Sequence, residues 1–158
     1  VATLEERLPG RTRVLFVCSG NVVRSAFAHL YAVHLGCPLA VGSAATTYRN
    51  PGLFTETIAA LRTRGVPQDA IAAFRPRHVE DLVPDRSTLV LGMTTEHLRA
   101  LASRGWPPDG ALLLDAVLAP ARPRSIRDPV QEGADFGATF EHVARAVQAL
   151  VATLRASG

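Results

Sequence analysis

Arg13-Val14-Leu15-Phe16-Val17-Cys18-Ser19-Gly20-Asn21-Val22-Val23-Arg24-Ser25 is the stretch that decides the fold. Its first six residues are an apolar run rich in β-favouring types, and Ser19, Gly20 and Asn21 are turn formers. A buried strand therefore enters a loop. Beyond it, Phe27, Leu30, Tyr31, His34 and Leu35 fall at helical spacing from Arg24 to Leu35, and Gly36 supplies a stop. Strand, loop and helix in that order open an α/β unit.

The same alternation continues outward. Residues 38–43 predict a second strand, and Phe54 to Arg64 a helix with Leu53, Thr57, Ile58 and Leu61 on one face. Residues 78–83 predict one or two helical turns. Ser87 to Met93 predicts a third buried strand, followed by a helix from Thr94 to Arg104. A turn at 106–110 leads to a fourth strand, Ala111 to Leu114. A loop rich in Pro and Arg spans 119–130, and a last helix runs from about Phe136 to Leu154. The expected fold is a three-layer α/β/α sandwich around a four-stranded parallel sheet, in the flavodoxin-like order 2-1-3-4. Residues 1–10 are expected to be a loosely held leader and 11–158 a single domain.

At 158 residues the chain is long enough for a full core without disulfide or metal staples. Its 47% hydrophobic and 20% charged content is that of a globular protein, and no apolar run reaches membrane-spanning length. All 17 basic residues are Arg. The net charge of +3 is too small and scattered to argue for nucleic acid, though basic charge beside a cleft attracts phosphorylated substrates. Cys18 and Cys37 do not make a disulfide framework, so a cytoplasmic protein with reduced thiols is expected. Its expected state is a monomer or weak dimer. The histidines at 29, 34, 78, 97 and 142 show no metal-ligand spacing, and neither metal nor cofactor is expected. Trp106 reads as a loop anchor packed on the sheet, and Arg122, Arg124 and Arg127 as solvated charge.

In an open parallel sheet, ligands bind beyond the carboxyl ends of the strands. The first such loop reads Cys18, five residues, Arg24, Ser25. A loop curled before a helix N-terminus turns successive backbone N–H groups inward and makes an anion nest from Ser19, Gly20, Asn21, Val22, Val23, Arg24 and Ser25. Gly20 and Asn21 accept the left-handed backbone such a curl needs. Arg24 offers a planar fork for two phosphate oxygens. Cys18 lies at the base of the nest, in the field that favours a thiolate, and Ser25 offers it a hydroxyl. Thiolate attack on phosphorus gives a phosphocysteine intermediate. The competing nucleotide loop requires a Lys, and the chain has none.

These residues resemble the low-molecular-weight protein tyrosine phosphatases, whose loop reads Cys-x-Gly-Asn-x-x-Arg-Ser. Cys18, Gly20, Asn21, Arg24 and Ser25 match every fixed position. Gly42 to Thr46 resembles the stretch after the family's second strand, Leu91 to Thr94 the end of its third, and Asp128-Pro129 its late Asp-Pro; the likeness spans roughly residues 12–154. It implies that Asp128 protonates the leaving oxygen and then helps a water attack, and that Ser43 braces Asn21. It implies a phosphorylated protein as substrate and no metal.

The chain departs from that pattern at several places. Ala26 stands where the family usually has Pro, and Val23 where many members carry a second cysteine. Val130 and Arg49 replace aromatics that wall a slot for a phenyl ring, leaving Tyr48 as part of a wall. Val22 leans towards phosphotyrosine, since arginine-phosphate phosphatases of the family have Thr there. The alternatives are a protein-arginine phosphatase and a non-catalytic phosphate-binding module. An arsenate reductase would need cysteines beyond Cys37, and a phosphocysteine sugar-transport carrier would lack Arg24.

Overall fold

The structure, a computed structural model, describes residues 3–158. Four strands form one sheet: β1 (Arg13–Cys18), β2 (Ala40–Ala45), β3 (Thr88–Gly92) and β4 (Ala111–Leu113). All neighbours run parallel, in the order β2-β1-β3-β4, so the expected topology is the observed one. β1 is central, with Val14 opposite Val41 on one side and Leu89 on the other.

The period of two in β1 sorts its side chains between two cores. Val14, Phe16 and Cys18 join the larger one, packed by α2 (Arg24–His34) and α6 (Phe136–Ser157), with α3 (Thr55–Thr63) alongside. Leu15 and Val17 face the other way, onto Trp106, Val79 and the Leu101 of α5 (Thr95–Ala102). The result is three layers. Trp106 is 5% exposed, the sheet anchor expected of it.

Several boundaries differ from the sequence pattern for physical reasons. β2 begins at Ala40, two residues later than expected, because Pro38 has no N–H for a ladder. The short helix α4 (Gln68–Ala73) has no counterpart in the pattern, since six residues are too few to display a period. Residues 78–83 hold a single tight turn at Val79–Asp81.

The leader needs a correction. Residues 4–7 form a helical turn, α1 (Leu4–Arg7), capped by Thr3, and Leu4 is buried in the larger core. Arg7 donates to the Asp109 carbonyl at 2.6 Å. Leu4 and Leu8, both packed on this core, are only one helical turn apart, too short a stretch to display a period, so the sequence of 1–10 conceals the contact. Residues 1 and 2 lie outside the described residues.

α2 also carries His29, whose Nδ1 is 2.7 Å from Ser43 Oγ and whose ring stands edge-on to Phe74. Burial first, and Arg77 second, push its pKa down to about 4 from an ordinary 6.5. The fold thus holds His29 neutral at pH values where the unfolded chain takes a proton. Its contribution is complete above pH 6.5 and is lost as pH falls from there towards about 4. The expected loss is up to roughly 3 kcal/mol. Urea unfolding at pH 7 and pH 4.5 should show a shallower decline for His29→Gln than for the wild type.

Candidate active site

Anchored carbonyls shape the loop after β1. The Cys18 carbonyl accepts the Thr46 N–H at 2.9 Å, and the Ser19 carbonyl accepts those of Thr47 and Tyr48 at 3.1 and 2.9 Å. The Gly20 carbonyl accepts Asn50 Nδ2 at 3.0 Å, and the Val22 carbonyl accepts the Thr57 hydroxyl at 2.7 Å. A trans peptide is planar, so each anchored carbonyl turns the next N–H the opposite way. The amides of Ser19, Gly20, Asn21 and Val23 are thereby directed to the inside of the curl, which runs into the N-terminus of α2.

Asn21 is the residue at positive φ (55°), and its side chain ties the curl together. Its Oδ1 accepts the Arg77 N–H and its Nδ2 donates to Ser25 Oγ, both at 2.9 Å. Ser25 accepts there, which leaves its own hydrogen for Cys18 Sγ at 3.0 Å; its backbone N–H also reaches the sulfur, at 3.5 Å. Gly20 is not left-handed as expected. A Cβ there would lie 2.9 Å from Asn50 Nδ2, so a larger residue would have to displace the side chain that holds the Gly20 carbonyl. Ser43 does not brace Asn21 either: its hydroxyl bonds His29, one helical layer away.

Arg24, 2% exposed, reaches across to the segment after β4. It donates to the Ile126 carbonyl at 2.8 Å and pairs with Asp128 Oδ2 at 3.3 Å. That segment is fastened from below. Ile126 is buried and its N–H donates to the Met93 carbonyl at the end of β3. Asp115 accepts the Arg124 N–H through Oδ2 and pairs with His142 through Oδ1, each at 2.6 Å. Asp128 Oδ1 caps the Val130 N–H at 2.8 Å, leaving Oδ2 as the oxygen towards Arg24.

Cys18, Arg24 and Asp128 line one cavity of about 270 Å³. The expected walls Tyr48, Arg49 and Val130 line it too. Arg49 is not free to grip an anion, because it forms a two-pronged pair with Asp81 at 3.0 Å and meets Glu80 at 3.6 Å. Phe54, Asn50 and Gln131 complete the lining. Phe54 is an aromatic wall that the sequence pattern hides, since it precedes α3 as one more apolar residue of a helical face. His97, 4% exposed, is a further residue the motif does not reveal: its Nε2 is 3.1 Å from Ser19 Oγ.

The family model for low molecular weight phosphotyrosine protein phosphatase matches residues 13–158. The chain belongs to that family. It is therefore a phosphatase, a hydrolase of phosphoric monoesters. Solved structures agree on the fold. YfkJ from Bacillus subtilis is 19% identical with a TM-score of 0.76, over 93% of this chain and 96% of its own. The YwlE arginine phosphatase from Geobacillus stearothermophilus is 23% identical with a TM-score of 0.74, over 92% and 94%. A low molecular weight protein tyrosine phosphatase from T. tengcongensis is 25% identical with a TM-score of 0.69, over 90% and 99%. No curated protein matches the chain in sequence. No helix among the phosphatase's described residues is long and apolar enough to cross a membrane.

Asn21 offers a direct test of the loop's internal ties. Asn21→Ala leaves the Arg77 N–H without its partner and places Ala at positive φ. A destabilisation of about 2–3 kcal/mol is expected from those two losses together, read as a lower urea midpoint.

Proposed function

We propose that this phosphatase hydrolyses phosphotyrosine on protein substrates through a phosphocysteine formed on Cys18. The observation that carries the reading is the cavity itself, where the sulfur, the guanidinium and the late carboxyl line a common space. The thiolate attacks phosphorus, and the bond from phosphorus to the tyrosyl oxygen breaks. Asp128 gives its proton to that departing oxygen. Arg24 and the inward amides of Ser19 to Ser25 stabilise the non-bridging oxygens as charge spreads over them. In the second half, the Asp128 carboxylate takes a proton from a water as that water attacks phosphorus. The sulfur–phosphorus bond breaks, and inorganic phosphate leaves.

The walls favour an aryl ester. Val22, Val23, Phe54, Tyr48 and Val130 bound the slot, and Asp128 is the one carboxylate in its lining. A phenyl ring needs apolar faces, and these residues supply them. A guanidinium would want several acceptors there. Phosphoarginine is the second reading, favoured by the likeness to the YwlE arginine phosphatase. The proposed surroundings are the cytoplasm, and the proposed state is a monomer or weak dimer.

Hydrolysis of a chromogenic aryl phosphate should be strong in the wild type and absent in Cys18→Ser; equal rates in both would reject the covalent step. Asp128→Ala should slow alkyl esters by a factor of about 100 or more, and activated phenols far less. Equal losses would remove Asp128 as the acid. A panel of phosphopeptides should place phosphotyrosine first, and a preference for phosphoarginine would overturn the substrate assignment.

A further inference from the structure

We propose that the Ser19 hydroxyl donates a hydrogen bond to the phosphoryl group during transfer, and that His97 is the positioning residue that frees it to do so. The inference rests on the reading above, in which that group sits in the loop over Cys18.

Ser19 follows the nucleophile, and it lines both the phosphate cavity and the cleft that adjoins it past Asp128. His97 comes from α5, across the sheet's carboxyl edge. Its Nδ1 accepts the Thr94 backbone N–H at 3.1 Å, inside the turn that caps the helix. A backbone N–H can only donate, so Nδ1 holds a lone pair there. The neutral ring then carries its hydrogen on Nε2, which faces Ser19 Oγ at 3.1 Å. Burial, and after it the charge of Arg24, hold His97 to a pKa of about 4, so this tautomer is the working one near neutrality.

The hydroxyl therefore accepts from His97, and its own hydrogen is left for another acceptor. Ser19 shares both of its pockets with Arg24 and Asp128. A phosphoryl oxygen over Cys18 is the strongest acceptor to enter that space. A donor already fixed where negative charge spreads assists the transfer without rearranging. No bond is made or broken by this pair; it adds one oriented donor to those of the loop amides.

The test measures kcat and KM on para-nitrophenyl phosphate, and inhibition by inorganic phosphate. Four variants are compared with the wild type: Ser19→Ala, His97→Asn, their combination, and His97→Gln. Asn keeps an acceptor for the Thr94 N–H but falls short of Ser19. Gln is long enough to return an N–H to the hydroxyl.

Ser19→Ala and His97→Asn should each lower kcat/KM about tenfold, mainly in kcat, and weaken phosphate inhibition. The combination should be no worse than either alone, because both remove one donor. His97→Gln should recover most of the loss. The proposal is overturned if Ser19→Ala leaves kcat/KM unchanged, or if His97→Asn causes the same loss whether or not Ser19 is intact. Should His97→Asn fail to fold by circular dichroism, Ser19→Ala and His97→Gln decide alone: a loss in the first with near wild-type rates in the second supports the pair, and any other result rejects it. A wild type inactive on the aryl phosphate would instead reject the phosphatase reading beneath it, and this inference with it.

Discussion

Everything at the site depends on where four carbonyl groups are sent. The carbonyls of Cys18, Ser19, Gly20 and Val22 are held from outside, by the segment after β2, by Asn50 and by α3. Planar peptides convert that outward hold into an inward ring of N–H groups. The ring then meets the partial positive charge at the start of α2, so the field at Cys18 is a property of the backbone. Side chains refine it: Asn21 fixes the left-handed step and hands Ser25 over to the sulfur.

Asp128 reaches this centre from more than a hundred residues away, and three fastenings explain how. Ile126 plugs the core and bonds the end of β3, so the segment follows the sheet. Asp115, itself 3% exposed, holds the Arg124 amide and His142. Arg24 closes the third side, through the Ile126 carbonyl and the carboxylate. Burying a charge without a partner is unfavourable, so Arg24 and Asp128 hold each other in register across the cleft.

Much of this is legible in the amino-acid sequence. The apolar run into Cys18 and the turn at Ser19 to Asn21 marked β1 and the curl, because strand and loop impose residue types over short distances. Alternation implies a parallel sheet, but not by itself the order of its strands. The contacts that join distant segments were hidden. Nothing near Thr57, Arg77 or His97 in sequence signals that each touches the loop, since a hydroxyl, a backbone amide or a lone imidazole has no pattern. Ser43 shows the opposite failure: its hydroxyl meets the His29 ring of α2, while Asn21 is held by Arg77 and Ser25. Gly20 differs from its expected left-handed step: it lies where an added Cβ would crowd the Asn50 side chain.

The walls of the slot and the loop proposed to grip phosphate come from different stretches of chain. Tyr48, Arg49 and Phe54 belong to the connection between β2 and α3, and Val130 to the far loop, whereas the proposed grip is continuous from Cys18 to Ser25. Tyr48 and Val130 are 47% and 43% exposed, so replacing them disturbs little packing. Natural variation can therefore redraw the rim of this pocket while the reacting centre beneath it stays as it is. Homologues with one reaction and divergent targets are the outcome that such a division of labour makes easy.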